Sequence, residues 1–197
     1  MTVHHALRIP EHAKLRADAM STVKKDLGAL VRPDEVFTRA CEIVQQADLE
    51  IAAHVEERNQ AALSLFYYDG VRGLAKVMGI LPNAYREMRA VALHGTREAG
   101  LLTENDERMS PEDRRAAAEK AGVLFVEDAH STLPELSATV SVANARRKAA
   151  MPFLQDAALA LTEEPYSWST QQIAELGGVT PKYVRDVKNR AAKRRRG

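Results

Sequence analysis

Cysteine is almost absent from this chain, aromatic residues are few, and no long apolar run occurs in its 197 residues. The single cysteine, Cys41, excludes an intrachain disulfide and fits a reducing compartment. No stretch approaches the roughly 18 consecutive apolar residues of a membrane span, and the N-terminus carries no apolar signal core. A cytoplasmic chain without membrane partners is therefore expected. Aromatics amount to 5% while alanine, arginine and glutamate abound, which favours helix over sheet. An apolar fraction of 45% still supports a buried core and excludes a disordered chain.

The patterns that enzymes use are missing too. There is no nucleophile paired with a base, no pair of carboxylates in an apolar setting, no glycine-rich phosphate loop and no zinc spacing. His4, His5 and His12 lack a partnering carboxylate or cysteine at useful spacing. Glu127, Asp128 and His130 offer too few ligands for a metal and read as a solvated loop. Cys41 and His54 read as packed helix residues, since no catalytic partner is evident. A non-enzyme without cofactor or metal is the expectation.

Net charge is only +1, but its distribution is uneven. From Ser167 onward there are eight basic and two acidic residues, and residues 67–99 hold five and three. Residues 1–66 hold eight basic and ten acidic, and residues 100–166 hold seven and twelve. Two basic segments are thus set in an acidic body, and local sign is what a polyanion meets.

The more basic segment has clear local grammar. Ser169 and Gln172 are spaced as a capping box, with Trp168 and Ile173 as its hydrophobic staple. Gly178 supplies the left-handed residue that ends the first helix. Thr180 caps a second helix and Pro181 takes its first position, where a missing N–H costs nothing. Ile173, Leu176, Val179, Val184 and Val187 point inward, and small Ala174 permits close helix approach. On these residues the segment resembles the helix-turn-helix family of DNA-binding domains. That resemblance implies a second helix that enters the major groove. Lys182, Arg185 and Asn189 would then face base edges. Thr180, Lys188, Arg190 and a basic tail of Lys193, Arg194, Arg195 and Arg196 would hold phosphates, with Pro181 and Tyr183 on the same reading helix.

A second copy lies upstream. Leu74 to Arg89 matches Ile173 to Lys188 without a gap, at an offset of 99 residues. Ala75 falls on Ala174, Gly79 on Gly178, Ile80 on Val179, Pro82 on Pro181 and Arg86 on Arg185. Its expected DNA-facing residues are Asn83, Arg86 and Arg89. With Arg58, Ala62, Leu63, Leu65, Tyr67, Asp69 and Gly70 before it, this copy also loosely resembles region 4 of bacterial sigma factors. It departs from its twin at Leu81, which replaces the Thr180 cap, and at bulkier Tyr85.

The remaining segments support the two motifs. Residues 1–32 look like an N-terminal arm. Pro33-Asp34-Glu35 starts a long helix whose apolar stripe runs from Val36 through Ile51 and Val55 to Phe66, with a break allowed near Asp48. This helix and the first motif make a unit over 33–99. An acidic connector over 100–133 contains a helix starting at Ser110-Pro111 and the apolar run Val123 to Val126, which is either a strand or an extended segment. The second unit spans 134–197, with Pro134 opening a helix and Pro152 breaking or kinking it. The fold expected is all-α: two tandem helix-turn-helix units joined by a helical, partly irregular connector.

The function expected is sequence-specific binding of double-stranded DNA by a nucleoid-associated bacterial transcriptional regulator. Homodimerisation through the long helix is equally open. An alternative keeps the chain as a sigma-like or plasmid-maintenance interaction protein, with the first motif docking RNA polymerase or another protein through Leu81 and Tyr85.

Overall fold

The computed structural model describes residues 7–102 and 108–196, and over these the chain is all-helical, with no strand. Eight α-helices follow in order: α1 (His12–Gly28), α2 (Pro33–Tyr67), α3 (Leu74–Met78), α4 (Pro82–His94), α5 (Pro111–Ala121), α6 (Ala129–Thr162), α7 (Thr170–Gly177) and α8 (Pro181–Arg196). A 3₁₀ turn at Ala99–Leu101 follows α4. None of these helices is long and apolar enough to cross a membrane. His4 and His5 lie outside the described residues, as does the 103–107 part of the acidic connector.

Backbone contacts divide the chain into two compact units, each drawn from two stretches. Unit 1 is Met1–His12 with Ala52–Ser141, and unit 2 is Ala13–Ile51 with Val142–Gly197. The consecutive blocks expected from the sequence are therefore not the compact bodies, because α2 and α6 each contribute residues to both. Neither long helix is interrupted at the expected places. α2 is continuous through Asp48, and α6 begins at Ala129 and passes both Pro134 and Pro152. A proline removes one i→i−4 hydrogen bond, and at Pro152 the neighbours Ala149, Ala150 and Leu154 are all buried, which holds the helix on course.

The expected arm is also replaced by structure. α1 covers residues 12–28, and it buries Val23 and Leu27 in the core of unit 2. That core gathers Phe37, Ala40, Cys41 and Val44 from α2, Ala150, Leu154, Ala158 and Leu161 from α6, and Ile173, Val184 and Val187 from α7 and α8. Gly177 sits where two of these side chains press closest. A Cβ there would stand 2.6 Å from Phe37 Cε1 and 2.8 Å from Cys41 Sγ.

Cys41 is buried in that core, and burial, with a smaller contribution from Glu42, pushes its thiol from 9.0 up to about 12. The thiolate is the reactive form, so a thiol reagent at pH 8 is expected to leave native Cys41 unmodified and to label it once denaturant opens unit 2. Native labelling at the rate of a free thiol would instead mean that unit 2 opens locally. Because the folded value is the higher one, the thiol's contribution to stability is full below pH 9 and drains away as pH rises from 9 toward 12.

Unit 1 packs the end of α2 (Ala61 to Tyr67) against Leu74, Val77 and Met78 of α3, Tyr85 of α4, Ala118 of α5 and Leu133 of α6. His12 closes one side: its Nε2 lies 2.8 Å from Val77 O, and its ring would stand 2.6 Å from a Cβ on Gly79, whose φ is +65°. The apolar run Val123 to Val126 is irregular backbone, not a strand. Val123 O accepts from Tyr68 Oη at 2.9 Å, and Val126 N donates to Ser64 Oγ at 2.9 Å.

Candidate nucleic-acid interface

In unit 2 the turn between α7 and α8 is built as its sequence dictates. Ser169 Oγ accepts from Gln172 N at 3.3 Å while Ser169 N donates to Gln172 Oε1 at 2.9 Å, completing the capping box. Trp168 packs against the core that buries Ile173. Gly178 takes φ +61°, its N–H bonds back to Ala174 O and Glu175 O, and Val179 N follows to Ala174 O at 3.0 Å. Thr180 Oγ1 accepts from Tyr183 N at 3.1 Å and so caps α8.

α8 presents two contrasting faces. Val184, Val187 and Ala191 are buried, while Lys182, Arg185, Asn189, Lys193 and Arg196 are exposed. At 100° per residue those five fall within about 80° of arc on the side away from the core. None of Lys182, Arg185, Lys193 and Arg196 has an ion-pair partner among the described residues. Arg190 is exposed beside this stripe, Lys188 is half-buried at its other flank, and Asp186 is the one acid on the exposed side of the helix. A row of unpaired cations on a rigid helix is suited to a polyanion.

Three expected site residues are placed differently. Tyr183 turns inward: its Oη lies 3.9 Å from Met151 Sδ, and burial raises its phenol above 10.0. Arg194 and Arg195 are not part of a loose tail, because α8 stays helical to Arg196. Arg194 pairs with Asp156 at 2.6 Å and with Gln155 at 2.6 Å, and Arg195 with Glu163 at 3.3 Å. These pairs are exposed and contribute only about 0–1 kcal/mol each, so the arginines can exchange them for phosphate. Pro181 and Thr180 serve the start of the helix.

The corresponding helix of unit 1 is a poorer reading head. Gly79 and Pro82 occupy the same turn positions as Gly178 and Pro181, but Leu81 offers no side-chain cap and is 75% exposed. Arg89, expected at a DNA surface, is 1% exposed. Its guanidinium lies 3.9 Å over the Phe66 ring, with Tyr85 at 5.9 Å and Tyr67 at 6.0 Å. Three electron-rich faces stabilise the cation there, and Phe66 and Tyr67 were not legible as its partners. Asn83 and Arg86 are exposed, but Glu87 stands beside Arg86, and Ala90, one turn further on, is buried. No protein-family model, no curated protein and no solved structure matches this chain.

Proposed function

We propose that this chain is a sequence-specific DNA-binding protein, a transcriptional regulator of the nucleoid, and that α8 of unit 2 is its reading helix. The observation that carries the proposal is the stripe of Lys182, Arg185, Asn189, Lys193 and Arg196, free of protein partners among the described residues and opposite the buried face of a capped helix pair. Arg185 and Asn189 sit in mid-helix with side chains able to make bidentate contacts to guanine and adenine edges. Lys182, Lys193 and Arg196 flank them as phosphate contacts, and Arg190 and Lys188 extend the positive field. Thr180 and Pro181 bring the N-terminus of α8 forward.

In this reading α4 of unit 1 is not a second DNA head. Buried Arg89, exposed Leu81 and the Arg86–Glu87 neighbours favour a role in binding something other than the phosphate backbone. The alternative in which the first motif docks a protein gains from the same residues. Selection of genomic fragments by the full chain at about 150 mM salt, where screening leaves a Debye length of about 8 Å, followed by footprinting, tests the proposal. Enriched fragments with one protected major-groove face per chain are expected. Two protected faces per chain would restore α4 as a reader, and no enrichment would sink the DNA-binding proposal.

A further inference from the structure

Unit 1 keeps one arginine in an electrostatically costly position. Arg58, on α2, is 8% exposed. Its Nε and Nη2 both donate to a single neutral oxygen, Asn59 Oδ1, at 3.2 and 2.8 Å. No carboxylate pairs with it among the described residues, and its Nη1 is not sealed from solvent. Burial alone pulls its pKa down. A guanidinium stays charged in proteins, and a largely buried one without a counter-ion is only partly compensated by the solvent that reaches it.

The compensating group has a place to sit. Arg58 and Asn59 line a groove of about 370 Å³, shared with Arg97 and Glu87. Arg97 and Glu87 are exposed and form no ion pair among the described residues. The rest of the lining is apolar: Ile80, Ala84, Met88 and Val91. With two arginines and one glutamate in its lining, the groove carries a net single positive charge beside a hydrocarbon wall. That balance suits a monoanion with an apolar body. A phosphate dianion would gain nothing from the wall and would be repelled more strongly by Glu87. The volume falls in the usual range of about 300–1,000 Å³ for small-molecule sites.

We propose that this groove of unit 1 binds a small carboxylate with an apolar body, its charge at Arg58 and Arg97 and its hydrocarbon along Ile80, Ala84, Met88 and Val91. The Asn59 amide NH₂ supplies a further donor beside Arg58.

Calorimetric titration of the full chain with sodium octanoate tests this, with 1-octanol and inorganic phosphate as comparison probes. Saturable one-to-one binding of octanoate is expected, tighter than octanol by about tenfold or more, the ratio that a charge-assisted hydrogen bond provides. Arg58→Met keeps the bulk and removes the charge. It is expected to abolish the preference for octanoate over octanol, yet to raise the Tm of the unliganded chain. Arg97→Ala, at an exposed position, should weaken octanoate severalfold with no change in Tm. The proposal is overturned if octanoate does not saturate, if octanol binds as well, or if phosphate binds more tightly than either. It is equally overturned if Arg58→Met lowers the Tm, because Arg58 would then be a structural group already compensated by the protein.

Discussion

Phe37→Ala is expected to lower the stability of unit 2 by about 3–5 kcal/mol, the usual cost of removing a large buried ring. Phe37 is 0% exposed, and its Cε1 fills the space that a Cβ on Gly177 would need. The ring therefore supports the last turn of α7 as well as the core. Against a typical total stability of about 5–15 kcal/mol, such a loss leaves unit 2 marginal and the α7–α8 turn unsupported. Trp168 is the chain's one tryptophan and packs on this core, so its fluorescence follows urea unfolding of unit 2 directly. A shift in stability of less than about 1 kcal/mol would show that the site collapses around the smaller side chain. Gly177→Ala presses on the same place from the other side and should cost about 1–3 kcal/mol by overpacking. Combined, the two substitutions should be less harmful than their sum, because removing the ring makes room for the new methyl group. Strict additivity would argue against the contact.

What the sequence disclosed follows from the range of each interaction. The Ser169–Gln172 box, the left-handed Gly178 and the Thr180 cap join residues within four positions of one another, so each was legible before any fold was known. The solvent-facing stripe of α8 was legible for the same reason, since helical periodicity alone assigns it. Arg89 is expected at the DNA surface and Tyr183 on the reading helix, and periodicity does not reveal what covers either residue. Phe66 and Tyr67 cover Arg89 from α2, and Met151 meets Tyr183 from α6. α1 was hidden because only two of its 17 residues are fully buried, too few for a visible stripe. The groove beside Arg58 was invisible, since it brings together residues on α2, in the turn before α4, on α4 and beyond α4. The continuity of α6 through Pro152 is a tertiary outcome, held by burial on either side of a residue that locally opposes helix.

The same distinction between held and free cations sets the largest functional effect. Lys182, Lys193 and Arg196 are exposed and unpaired among the described residues, so their replacement by alanine leaves folding almost untouched. Each phosphate contact on duplex DNA adds about 0.9 to the slope of log affinity against log salt. The triple replacement should therefore flatten that slope by about 2.7, which over a fourfold rise in salt is about a 40-fold smaller loss of affinity. Binding to specific and random DNA should weaken alike, because phosphates carry no sequence. Arg185→Ala should behave otherwise. It should cost about 1–3 kcal/mol on the specific site and relax selection at one base pair, while random DNA changes little. An equal loss on both kinds of DNA would make Arg185 one more phosphate contact. An unchanged slope in the triple variant would place the DNA backbone somewhere other than α8. Arg194 and Arg195 supply an internal control, since Asp156 and Glu163 hold them in the free protein. If binding draws them onto phosphates, Asp156→Asn with Glu163→Gln should tighten all DNA binding, because two arginines no longer have to leave a carboxylate first.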